Sequence, residues 1–183
     1  KKCKNLKKFL NKYINFKKAI EITNKTYDVN FFNKKVFPHL DSMDMEYVEN
    51  MQKIIAIQKY LSSLVERKEK KKVKIKSFVR LKDTQKSGLW MEATSKRSEI
   101  IKLTLKEQSK NLDNIDVSLD YKSKYDNTNK KFNVSFNNFK SIKTTQNYCK
   151  LSSITLNKIY DTHLQSSNIL SELIEQCYND FLS

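Results

Sequence analysis

Apolar side chains recur at three- and four-residue steps in two long stretches of this chain. In the first, Val48, Met51, Ile54, Ile55, Leu61, Leu64 and Val65 share a helical face behind a start marked by Pro38, Asp41 and Ser42. The spacing predicts a helix over about residues 42–70. The second stretch opens after Ser152 and Ser153, either of which can accept backbone N–H bonds as N-cap. It runs without Gly or Pro to Leu182, with Leu156, Ile159, Tyr160, Leu170, Leu173, Ile174, Cys177, Phe181 and Leu182 on one stripe. His163, Ser166 and Ser167 fill a gap in that stripe. At 1.5 Å per residue, a helix over about 153–182 is about 45 Å long, too long to bury itself in so small a domain. The two helices are expected to pack antiparallel and to hold the intervening segment at their far end.

Between them the period changes. Val73, Ile75 and Ser77 alternate with Lys74, Lys76 and Phe78, and Leu89, Met91 and Ala93 alternate with Trp90, Glu92 and Thr94, the pattern of half-buried strands. Ile115–Leu119 and Phe132–Phe136 repeat it more weakly. Ile100, Ile101, Leu103 and Leu105 predict a helix over about 96–110, and the polar run from Asp120 to Lys131 reads as a mobile loop. Leu6, Phe9, Leu10, Tyr13, Ile14 and Phe16 suggest one more helix, followed by an aromatic connector with Phe31, Phe32 and Phe37. The fold class expected is α+β: long antiparallel helices carrying a small antiparallel sheet. The segments are a helical 1–70, a β-rich 71–150 and a returning helix over 151–183.

Charge sharpens that division. Thirty-six Lys and Arg against 20 Asp and Glu give the 183 residues a net charge of +16. Residues 1–40 carry 11 basic and 2 acidic side chains, 41–66 carry 2 and 5, 67–150 carry 22 and 9, and 151–183 carry 1 and 4. A basic middle is thus flanked by two mildly acidic helices. An AT-rich coding bias accounts for part of the lysine, so placement matters more than the total. Gly88 and Pro38 are the only residues of their kinds, so no GxxxxGK[ST] or GxGxxG phosphate loop can be written. No apolar run approaches the roughly 20 residues that cross a bilayer, and no membrane partner is expected. Cys3, Cys149 and Cys177 fit neither a disulfide framework nor a zinc site and read as buried or incidental thiols of an intracellular, reducing compartment; the sequence leaves open whether that is a nucleus, a mitochondrion or a viral replication site. The chain begins at Lys1 rather than Met and is expected to be a piece of a longer protein.

Catalytic arrangements are not expected. His39 and His163 show no metal-ligand spacing, and Cys149 has no base at a fixed distance along the chain. Charge of phosphate-seeking density lies instead between Arg67 and Lys82, where nine Lys or Arg occur. Arg67, Lys70, Lys71, Lys72, Lys74, Lys76, Arg80 and Lys82, followed by Lys86, Lys96 and Arg97, are the candidate backbone contacts. Ser87 and Gly88 would form a tight turn that backbone phosphate can approach, and Trp90 could stack on a base or sugar or serve as a core tryptophan.

The segment Lys86-Ser87-Gly88-Leu89-Trp90-Met91-Glu92-Ala93-Thr94-Ser95-Lys96-Arg97 resembles the clamp strand of MutS-family mismatch-repair proteins, in which a glycine, an apolar strand and a T-x-x-R element recur. Phe37-Pro38-His39-Leu40-Asp41 is similar to the end of that family's core stretch before a long lever helix. Thr144-Thr145-Gln146-Asn147-Tyr148-Cys149-Lys150, ahead of Ser152 and Ser153, is similar to its return from clamp to lever. The resemblance implies non-sequence-specific binding of duplex DNA by its backbone, as the lever and clamp portion of a mismatch-repair protein. It implies Thr94, Thr144, Thr145 and Ser87 as neutral hydrogen-bonding contacts, and a homodimer formed through the parent protein. ATP and Mg belong to that parent; no cofactor is expected in this fragment, which has neither a Walker loop nor the family's Phe-x-Glu wedge. The alternatives are an RNA-binding or ribonucleoprotein component, in which the same basic strands meet an A-form backbone, and a helical protein-interaction module.

Overall fold

The computed structural model describes residues 2–20, 29–69, 77–84, 88–108 and 115–182, without the side chains of 2 and 3. The elements are α1 (Lys2–Tyr13), α2 (Phe16–Ala19), α3 (Pro38–Glu69), β1 (Arg80–Thr84), β2 (Gly88–Thr94), α4 (Ser95–Gln108), β3 (Asp116–Lys122), β4 (Asn129–Ser135), β5 (Lys140–Lys143), β6 (Tyr148–Ser152) and α5 (Ile154–Leu182). The fold is α+β with antiparallel sheets, as the periodicities require. Two compact units divide it: residues 1–48 with 165–183, and residues 49–164. Both long helices contribute to both units.

In the first unit Pro38 opens α3, where its missing N–H costs no helical bond. Asp41, in that first turn, accepts from the Lys35 amide at 2.6 Å. The beginning of α3 runs antiparallel to the end of α5: Cys177 Sγ lies 3.4 Å from His39 Nε2, and Ser166 Oγ 3.4 Å from Glu46 Oε1. Leu40, Leu170, Ile174 and Cys177 form the core with Phe31 and Phe32, so the aromatic connector is core material. The connector is also tied by its backbone to the helices before it, through Asn15 N to Phe31 O at 2.7 Å and Asn33 N to Tyr13 O at 2.8 Å.

The second unit is built on a four-stranded antiparallel sheet of order β1-β2-β6-β5 and a separate β3-β4 hairpin. Leu89, Met91 and Ala93 of β2 and Cys149 and Leu151 of β6 are buried on one face of the sheet. Its core joins Ile54, Ile57, Leu61 and Leu64 of α3, Ile101 and Leu105 of α4, Phe136, and Leu156 and Tyr160 of α5. Ser153 caps α5 by accepting from the Leu156 amide at 3.1 Å, as its place in the sequence suggests.

Three expectations need correction. The strand expected over 73–78 lies outside the described residues up to Lys76, and Ser77 and Phe78 are not in a strand. Side chains of α3 take the backbone groups that a ladder would use: Gln58 Nε2 donates to Val79 O at 2.8 Å and Val79 N donates to Ser62 Oγ at 3.1 Å. The loop expected over 120–131 is a hairpin, with Asp116↔Ser135 through Lys122↔Asn129 in register. Its polar residues face outward at alternate positions while Val117, Leu119 and Phe132 pack on the core. Strands β5 and β6 stand where the periodicity suggests no strand.

Candidate nucleic-acid interface

Register decides what shares a face of the four-stranded sheet. Arg80 pairs with Glu92, Glu92 with Lys150 and Lys150 with Ile142. Lys82 pairs with Trp90, Thr94 with Tyr148 and Lys140 with Ser152. Because side chains across an antiparallel pair project to the same side, Arg80, Lys82, Lys140 and Lys150 lie on one face together with Trp90 and Tyr148. That face is opposite the one holding Met91 and Leu151. It is cationic, with rings between the cations.

The cations are positioned rather than merely present. The Arg80 guanidinium sits 5.3 Å from the centre of the Tyr148 ring, and Lys150 Nζ sits 5.9 Å from that of Trp90, within range of attraction to the ring faces. Glu92, only 6% exposed, stands between Arg80 and Lys150, with Lys82 Nζ 3.9 Å from its carboxylate. A carboxylate flanked by cations on both neighbouring strands lowers their mutual repulsion, and with one acid among four cations the face stays net positive. A cleft of about 290 Å3 borders it where Gly88, Ile142, Lys150 and Ser152 meet Asn157, Asp161 and Leu164 of α5.

The residues singled out in the sequence fall into four groups. Arg80, Lys82, Gly88, Trp90 and Thr94 share the cationic face. Arg67 and Lys96 are exposed on α3 and α4. Arg97 is committed to the fold: its Nε lies 3.4 Å from Glu69 Oε1 and its guanidinium 4.8 Å from the Phe78 ring centre. Thr144 and Thr145 close the β5–β6 turn, Thr144 Oγ1 donating to Tyr148 O at 3.1 Å and Thr145 Oγ1 accepting from Tyr148 N at 3.2 Å. Thr94 Oγ1 accepts from Arg97 N at 3.4 Å. Lys70, Lys71, Lys72, Lys74, Lys76, Lys86 and Ser87 lie outside the described residues.

Gly88 has a positive φ of 63°, which L-residues with a Cβ adopt only at a cost. A Cβ there would meet Leu164 Cδ2 at 3.5 Å, an ordinary contact. Backbone conformation is therefore what this glycine supplies. The sequence reading missed Lys140, Tyr148 and Lys150. The signal for Tyr148 and Lys150 was the alternation Tyr148-Cys149-Lys150-Leu151-Ser152, two apolar residues between three polar ones.

His39 belongs to the first unit and His163 to the second. His163 is buried at 6% exposure, and burial holds its imidazole below the usual histidine range despite the opposing field of Asp83. Cys149 and Cys177 are free and buried, and burial raises the Cys177 thiol. Among the described residues no three His, Cys, Asp or Glu gather as a metal site, and no helix is long and apolar enough to cross a membrane. No protein-family model matches the sequence, and a search of curated proteins returns no match.

Proposed function

We propose that this chain binds nucleic acid through its sugar-phosphate backbone without reading sequence, that duplex DNA is the ligand, and that the chain serves as the lever and clamp portion of a MutS-like mismatch-repair protein. The observation that carries the reading is the sheet face on which Arg80, Lys82, Lys140 and Lys150 surround Trp90 and Tyr148. Each cation that meets a phosphate releases condensed counterions, so affinity falls with salt in proportion to the contacts made. The order long helix, basic antiparallel sheet, long helix agrees with the family resemblance. The same rings on an antiparallel face favour single-stranded nucleic acid as the second reading, since stacked bases use such platforms.

A salt titration of duplex DNA, duplex RNA and single strands tests both. About four phosphate contacts give a slope of log affinity against log salt near −3.6, at about −0.9 per contact, and contacts from Lys70–Lys76 would steepen it. Lys82→Glu with Lys150→Glu is expected to weaken binding irrespective of sequence, Glu92→Gln to strengthen it, and Lys158→Glu, exposed on α5, to do little. A slope near zero, or equal losses from the sheet pair and Lys158, overturns the proposal. Preference for single strands selects the second reading.

A further inference from the structure

A second basic concavity lies on other elements of the same unit. A groove of about 380 Å3 separates α3 from the β3–β4 turn, with Gln52, Ala56 and Lys59 on the helix side and Lys122, Lys124 and Asn127 on the turn side. We propose that this groove is a binding site for a phosphate group, either a small phosphorylated ligand or a phosphate of a nucleic acid strand.

Charge accounting sets these lysines apart from their neighbours. Lys130 lies 3.1 Å from both Glu49 and Asp126, and Lys131 lies 3.7 Å from Asp120. Those two ammoniums are compensated, and Asp120, the carboxylate that lines the groove, has Lys131 as its partner. Lys59, Lys122 and Lys124 make no ion pair among the described residues. Three like charges gathered on one concavity repel one another, and a dianion between them removes that repulsion. The side-chain amides of Gln52 and Asn127 add N–H donors, so a tetrahedral anion meets donors from both walls. Ala56, half-buried on the helix, offers a carbon floor to whatever the phosphate is attached to.

The walls are also fixed before any ligand arrives. Tyr121 and Ser123 on the turn side donate to the buried Glu49 carboxylate of α3. Ser123 Oγ accepts from the amides of Tyr125 and Asp126 at 3.1 and 3.3 Å, and Asp126 accepts from Thr128 N at 3.0 Å. Asn127 takes a left-handed φ of 60° within that turn, a conformation asparagine tolerates better than most residues. A groove whose sides are joined by a buried carboxylate loses little further freedom on binding. The site shares no lining residue with the basic sheet face and does not rest on the nucleic-acid reading.

Backbone amide NMR on the full chain, titrated in separate experiments with inorganic tripolyphosphate and with a short DNA duplex, tests the assignment. Saturable shifts are expected over residues 122–127 and 52–59 with tripolyphosphate. Lys59→Glu with Lys124→Glu is expected to weaken them roughly tenfold, the scale of losing one or two charge-assisted bonds. Lys59→Gln with Lys124→Gln, which removes charge without reversing it, gives the same direction if the first variant fails to fold; Lys158→Glu serves as control. Shifts with both probes assign the groove to a nucleic acid phosphate, and shifts with tripolyphosphate alone to a small phosphorylated ligand. No saturable shift with either probe, or shifts that the double variants leave intact, overturns the site.

Discussion

Replacing Glu49 by Gln asks how much of the second unit depends on one buried carboxylate. Glu49 is 8% exposed and accepts from Tyr121 Oη, Ser123 Oγ and Lys130 Nζ, the last at 3.1 Å. Burial alone would raise its pKa, but the hydrogen bonds from Ser123, Tyr121 and Lys130 outweigh it and hold the carboxyl below the usual range. Burial and the bond to Glu49 push the Tyr121 phenol up to about 12, so the hydroxyl stays a donor. Glutamine keeps one acceptor oxygen and turns an N–H2 toward a hydroxyl that was donating. Two bonds to a charged acceptor become neutral or are lost, at about 1 kcal/mol each, which gives a destabilisation of about 2 kcal/mol. Lys130 retains Asp126 at 3.1 Å. For a chain of this size about 2 kcal/mol corresponds to a Tm lower by roughly 4–8 °C. Trp90, the only tryptophan in the sequence, lies in the same unit as Glu49, so its fluorescence during urea unfolding reads the relevant transition. The sign with pH follows from the depressed folded-state value. The wild-type advantage is present above the ordinary glutamate pKa of about 4.5 and disappears as pH falls through the folded value. A difference below about 0.5 kcal/mol, or one that persists unchanged in acid, refutes the network as the source.

Gly88→Ala is expected to cost about 1 kcal/mol through its positive φ, while Gly88→Asn costs less; equal melting of all three proteins contradicts this account. His163 has a folded-state pKa below the ordinary 6.5, so the folded state binds fewer protons. Stability is full above pH 6.5 and falls as pH drops from there toward the folded value. His163→Gln is expected to flatten that slope in melting curves recorded between pH 5 and 7, and an unchanged slope assigns it to another group.

The helices were readable because each signals locally: α3, α4 and α5 repeat their apolar residues every three or four positions, and Ser153 caps α5. Strand β2 was readable by alternation for the same reason. What failed depends on partners far along the chain. Val79 is held by Gln58 and Ser62, so no local pattern announces that Ser77, Phe78 and Val79 lie outside a strand. The β3–β4 hairpin is pinned through Tyr121 and Ser123 to Glu49, 72 and 74 residues away, and its polar tip resembles a loop in isolation. The site was half readable: Arg80, Lys82 and Trp90 declared themselves by charge and ring. Tyr148 and Lys150 reach the same face only through the β2–β6 pairing, and Arg97 is diverted to Glu69 across 28 residues.

The two buried thiols give each compact unit its own clock. Cys177 is 1% exposed in the first unit and Cys149 is 7% exposed in the second, and an alkylating reagent attacks only the thiolate of an opened molecule. With Cys3 changed to serine, the labelling rate at each site under native conditions measures how often that unit opens. Equal rates that respond together to urea describe one cooperative molecule. Separate rates describe two halves that breathe independently along shared helices, a kinetic property that no static distance within either half contains.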